Sequence, residues 1–113
     1  MTSYLGVATD SPALAQLKLN GGGSTAFTAM YKAPIIISPA SVAANTTAEQ
    51  IFPCANVKVG DYVDVNKPTA QAGLGICGVR VTSAGNIGIT FQNNTAAPIG
   101  PSPGETYIVF GCR

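Results

Sequence analysis

From residue 45 onward the apolar side chains of this chain recur at every second position, and no stripe at helical spacing appears there. Ile76 to Thr82 alternates, with Cys77, Val79 and Val81 on one parity and Ile76, Arg80 and Thr82 on the other. Ile87, Ile89 and Phe91 alternate with Gly88, Thr90 and Gln92. Ala48 to Cys54 reads as a strand with Phe52 and Cys54 on one face. Val57, Val59, Val63 and Val65 share a parity across a bend at Gly60-Asp61. Successive side chains of a strand point to opposite sides, so each such run has one face for a core. Turn residues separate the runs: Lys67 to Gly75, Ser83-Ala84-Gly85-Asn86, and the polar Pro/Gly-rich stretch Asn93 to Gly104, after which Tyr107 to Cys112 is the last strand. Short strands at regular spacing predict an all-β fold, an antiparallel two-layer β-sandwich of jelly-roll character. Shared parity assigns Phe52, Val63, Val65, Cys77, Val79, Val81, Ile87, Ile89 and Phe91 to its core. Phe110 is assigned there too. The last strand is apolar on both parities, Tyr107 and Val109 against Ile108 and Phe110. It therefore needs cover on both faces, one of them from a neighbouring subunit.

The first part of the chain is irregular. Ser11-Pro12 before Ala13 to Leu19 has the form of a helix start, with Asn20-Gly21 as a stop, while Leu17-Lys18-Leu19 alternates as a strand does. Gly21-Gly22-Gly23 is a joint. Residues 1–24 are expected to form an N-terminal arm and residues 25–113 a single sandwich domain. Thr25 to Lys32 alternates weakly, with Phe27 and Tyr31 on one parity. Ile35-Ile36-Ile37, between Pro34 and Pro39, is a short edge strand or a docking segment. Leu14, Leu17 and Leu19 have too few local partners to bury themselves. With Ile35, Ile36 and Ile37 they are the candidate assembly contacts.

Composition narrows the function. Only 10% of the 113 residues are charged, against about 25% in ordinary soluble domains. Six Lys+Arg against five Asp+Glu make no basic patch, so no nucleic-acid partner is expected. A folded monomer of this mass exposes roughly 5,800 Å², of which so few charged side chains cover only about a fifth. A surface that poor in charge, on a chain of net charge +1, favours association. The apolar run Ala33 to Ile37 is far too short to span a bilayer, and Met1 to Leu5 carries no basic residue of a targeting signal. No membrane partner is expected, and the protein is expected to be made in a cytoplasm.

No residue set for chemistry stands out. The chain has no histidine, which removes the commonest general base and zinc ligand. Cys54, Cys77 and Cys112 are far apart and odd in number; they read as free thiols in a core, or as one bridge with one thiol left over. Gly73-Leu74-Gly75-Ile76-Cys77-Gly78 matches the dinucleotide fingerprint in letters. A β-alternating run follows it where that motif needs a helix to hold the pyrophosphate, so it reads as a loop entering a strand. Asn45-Thr46-Thr47 and Asn93-Asn94-Thr95 fit the N-glycosylation pattern but read as turn chemistry. Asp61 and Asp64 point to opposite faces of an extended segment and read as solvated charges at a sheet edge. Cys77 and Cys112 lack a base that would make either a nucleophile. No catalytic residue, metal or cofactor is expected.

From about Val42 to Arg113 the chain resembles a group of small virion proteins of tailed bacteriophages. The resemblance is carried by Ala44-Asn45-Thr46-Thr47-Ala48-Glu49-Gln50, Val59-Gly60-Asp61, Val65-Asn66-Lys67-Pro68, Ala70-Gln71-Ala72-Gly73-Leu74-Gly75-Ile76, Asn93-Asn94-Thr95 and Gly104-Glu105-Thr106-Tyr107. It implies a β-sandwich module and a place in the virion. Within that group a short sandwich with an N-terminal arm is most like a capsid cement, or decoration, protein. The implied partners are the major capsid protein and copies of itself, as a homo-oligomer and most simply a trimer. The alternative is a tail or fibre module that binds a host surface glycan, for which Tyr4, Tyr31, Tyr62 and Tyr107 are the aromatic candidates.

Overall fold

A computed structural model describes residues 26–113 of the protein. The expected arm, with Leu14, Leu17 and Leu19, lies outside them. Six strands follow in order: β1 (Met30–Ile37), β2 (Thr46–Pro53), β3 (Tyr62–Asn66), β4 (Leu74–Ser83), β5 (Asn86–Asn93) and β6 (Glu105–Cys112). They form two antiparallel three-stranded sheets, ordered β1-β6-β3 and β2-β5-β4. The pairing is nested: first strand with last, second with fifth, and then β3 and β4 on the far edges of β6 and β5. This is the wrapping of a jelly roll, made with six strands instead of the usual eight. The sandwich expected from the alternation is the fold of the chain.

The core lies between the sheets. Ile87, Ile89 and Phe91 of β5 meet Tyr107 and Val109 of β6, and all five are fully buried. Val42, Cys54, Val57, Val63 and Val81 close the same cluster, with Phe52, Val65, Ile76 and Val79 packed against it. Burial of a side chain of this size contributes about 1.5–3 kcal/mol, so β5 and β6, the central strands, carry much of the stability. Two amides tie the connections to this core. The buried Asn93 donates to the carbonyls of Val42 (3.1 Å) and Ala97 (2.8 Å) and accepts from the backbone N–H (2.9 Å) and hydroxyl (2.7 Å) of Thr95. Gln50 holds the backbone of Ala40 from both sides, accepting at 2.7 Å and donating at 2.9 Å, as a neighbouring strand would. The β4–β5 hairpin closes through Ala84-Gly85, where Gly85 has φ +81°, a conformation open to glycine at little cost.

The structure corrects several expectations. Cys77 is exposed and outside the core. Ile76 pairs with Phe91 and Gly78 with Thr90, so Cys77 is the extra residue of a β-bulge. The bulge reverses parity, and Ile76 joins Val79 and Val81 on the inner face. The valine run is not one strand: β3 begins only at Tyr62, and Val59, in the preceding turn, is 69% exposed. The isoleucine triplet is the end of a longer edge strand that pairs with β6 from Met30 onward. Ile35 and Ile37 of that triplet pack into the core, and only Ile36 faces outward. Phe110 is not a core residue, and among the described residues β6 is covered on one face alone.

Candidate assembly surface

The outer side chains of the β1-β6-β3 sheet stand in cross-strand rows fixed by the register. One row is Met30, Cys112 and Tyr62. The next is Lys32, Phe110 and Asp64, then Pro34, Ile108 and Asn66, and last Ile36 beside Thr106. Ile36 is 75% exposed, Tyr62 68%, Met30 54% and Phe110 43%. An antiparallel sheet with one solvated face normally shows polar residues there. This one presents apolar side chains along β6 and at Met30, Pro34 and Ile36 of β1, with Lys32 of β1 and Asp64 of β3 flanking Phe110 on its two sides. A shallow depression of about 240 Å³ lies beside Phe110, walled by Asp64, Val65, Asn66 and Ile108.

Charge is otherwise consumed inside the chain. Among the described residues Glu49 pairs with Arg80, Asp61 with Arg113 and Glu105 with Lys67. Asp64 is the one described acid outside these pairs, and Lys32 and Lys58 are the cations outside them. Lys32 and Asp64 sit on opposite edge strands with Phe110 of β6 between them, and they form no ion pair with each other.

Asp61 is not a solvated edge charge. Its side chain is 1% exposed and forms a clasp at one corner of the sheet. It accepts hydrogen bonds from the Tyr31 hydroxyl (2.7 Å), the Lys58 backbone N–H (3.0 Å) and the Arg113 guanidinium (2.6 Å). Burial alone would raise its carboxyl pKa; the Tyr31 and Lys58 hydrogen bonds and the Arg113 charge outweigh it and hold the group below the usual carboxylate range. The same surroundings push the Tyr31 hydroxyl upward, first through burial and then through its bond to Asp61. Tyr31 reaches Asp61 by crossing β6 over Gly111, where any Cβ would collide with its ring. The clasp joins the start of β1, the turn before β3 and the last residue of the chain.

The remaining candidates are placed plainly. Of the four tyrosines, Tyr107 is fully buried, its hydroxyl pushed up to about 12 by burial, and Tyr31 is held in the clasp. Tyr62 is exposed, and Tyr4 lies outside the described residues. A second open depression, about 370 Å³, is lined by Asn45, Thr46, Thr47, Gln92, Asn93 and Asn94. It has amides and hydroxyls but no ring on which a sugar could stack. Cys54, Cys77 and Cys112 are free thiols. Of these Cys54 is the buried one, and its burial pushes the thiol pKa upward. The described residues hold no group of three or more metal-ligating side chains. Residues of the GxGxxG match run into β4, with no helix to bind a phosphate. The sequence signalled the open face through the second parity of β6; it did not signal Met30, Lys32, Tyr62 and Asp64, whose places depend on the register of β1 and β3.

The chain matches no protein-family model, no curated protein and no solved structure.

Proposed function

We propose that this is a non-enzymatic structural protein of a phage particle, a capsid cement protein that binds between shell subunits and stabilises the head. The observation that supports the reading is the open apolar face of β1-β6-β3, on a chain with little charge to keep it apart from other proteins. The virion setting comes from the loop and strand signatures of the sequence. The mechanism is mechanical. Each copy removes apolar and hydrogen-bonding surface from water across a joint, and many copies together raise the stability of the shell. Residues 1–24 supply the contact with the major capsid protein, through Leu14, Leu17 and Leu19.

The test is binding to shells of the phage that encodes the chain. Full-length protein should co-sediment saturably and raise the temperature at which the shells rupture. Protein lacking residues 1–20 should remain folded and bind poorly. A truncated chain that decorates as well as the full one removes the arm from the mechanism, and a full chain that never binds removes the reading.

A further inference from the structure

We infer that the outer face of β1-β6-β3 is a homodimer interface, in which two copies meet face to face about a two-fold axis along β6 and Lys32 of each lies opposite Asp64 of the other. The inference rests on the assembly reading of this face, and it commits the face to a second copy of the chain in place of the trimer that the resemblance implies.

The argument is one of self-complementarity. A two-fold axis along the central strand keeps each row at its height and exchanges the two edge strands, so β1 faces β3 of the second copy. The row Lys32–Phe110–Asp64 then meets its own reverse. Phe110 packs on Phe110, and two ion pairs close on either side of it. These pairs use the one described acid and one of the two described cations left without an ion pair inside the chain. In the adjoining rows Met30 meets Tyr62, Pro34 meets Asn66, and Ile108 and Cys112 meet their own copies. The depression walled by Asp64, Val65, Asn66, Ile108 and Phe110 comes to lie over Pro34 of the second copy, a rigid apolar side chain that can fill it. A two-fold axis across the strands sets β1 on β1 and β3 on β3, so Lys32 and Asp64 of different copies are never brought together, and at the level of this row like charges meet. Aligned packing within about 30° is also the common way for two sheet faces to meet.

The area is sufficient but small. Three strands about 4.8 Å apart and four rows about 6.8 Å apart give roughly 400 Å² in plan, and side-chain relief brings the surface removed from two copies to about 1,000 Å². That is near the lower bound of specific interfaces, the size class of weak and transient contacts, so a concentration-dependent equilibrium is expected.

Sedimentation equilibrium of the full chain, from about 1 to about 200 µM at low salt, tests this. The expected result is a monomer–dimer equilibrium. Lys32→Asp alone, or Asp64→Lys alone, places like charges across both ends of the contact and should weaken association at least about tenfold. The double swap restores opposite charges and should return affinity to within about threefold of the starting protein. Phe110→Glu should abolish pairing, while Ile51→Glu on the other sheet should leave it unchanged. All of these side chains are exposed, so circular dichroism should show every variant folded. A monomer throughout the range, a trimer, or single swaps without effect would overturn the inference, as would a folded double swap that fails to recover. The shell reading fails separately: a chain that dimerises but never co-sediments with shells keeps the interface and loses that reading. A monomeric chain that binds shells does the reverse.

Discussion

The two sheets share strand number, strand direction and core, yet their outer faces are built on opposite plans. On β2-β5-β4 the outward residues are Thr47, Glu49, Ile51, Thr90, Gln92 and Arg80, and a single exposed isoleucine interrupts a polar surface. Glu49 and Arg80 reach across the central strand and pair over Gly88, at 2.7 and 2.8 Å. On β1-β6-β3 the corresponding strip is Met30, Pro34, Ile36, Ile108 and Phe110. Here the cross-strand bridge lies on the inner side, where Tyr31 passes over Gly111 to Asp61. Each sheet thus carries one glycine in its middle strand, with a polar bridge laid over it. In one sheet the bridge faces water and finishes the surface. In the other it is buried, and the outer face is left apolar. The difference teaches that the same sandwich can finish one outer face with polar groups and leave the other apolar.

If the buried bridge matters more than the exposed one, the largest effect should come from Gly111→Ala. The new Cβ would collide with the Tyr31 ring, which cannot bend aside as a flexible chain end can. Tyr31 must leave its place and give up its hydrogen bond to Asp61. A loss of about 3 kcal/mol is expected, measured by urea unfolding. Stability within about 0.5 kcal/mol of the starting protein would mean that Tyr31 has an equally good second position.

Asp61→Asn comes next. The variant keeps the shape of the side chain but leaves Arg113 without its counter-charge; because the Arg113 side chain is 29% exposed, water recovers part of the loss. About 2 kcal/mol is expected at neutral pH. The pH dependence follows from the sign of the shift. The folded carboxyl titrates below its ordinary value, so its contribution is present above about pH 4 and is lost as pH falls through the folded value. The stability gap between variant and starting protein, followed by unfolding curves from pH 7 downward, should therefore begin to narrow below about pH 4. A gap that stays constant with pH would show that the charge of Asp61 is not what stabilises the corner.

Much of this contrast was legible in the residues, and the illegible part has a physical cause. Alternation in β5 named Ile87, Ile89 and Phe91 as one face; β6 is apolar on both parities, so its pattern alone does not say that Tyr107 and Val109 face inward and Phe110 outward. Cys77 was misplaced because a bulge depends on how β4 meets β5, which no pattern within β4 records. Asp61 was misread because its partners Tyr31 and Arg113 lie 30 and 52 residues away in the chain. The pair Lys32 and Asp64 was invisible for the same reason: only the register of two different strands against β6 puts them in one row.

The exposed bridge gives the smaller tests. At Gly88 a Cβ would sit 2.5 Å from Glu49 Oε2 and 2.9 Å from Thr82 Cγ2. Both are side-chain atoms at a surface, and both can turn away. Gly88→Ala should cost about 1 kcal/mol, clearly less than Gly111→Ala, in the same urea measurement. Equal losses would mean that the two glycines do the same work and that facing water or core makes no difference.

Arg80→Ala should have the smallest effect. The Arg80 side chain is 68% exposed, and its two bonds to Glu49 compete with water and with salt at every moment. The pair does shift both groups toward their charged forms, Glu49 downward and Arg80 upward, each mainly through the hydrogen bonds between them. Such shifts on a solvated face translate poorly into stability, because the free side chains are hydrated almost as well as the paired ones. The melting temperature of Arg80→Ala should therefore match that of the starting protein, in low salt and in high salt alike. Its association should be unchanged too, since Arg80 lies on the sheet that takes no second copy. A clear fall in melting temperature that vanishes with added salt would give the exposed pair a weight like that of the buried one. The two faces would then differ in their apolar surface alone, and no longer in how each uses its charges.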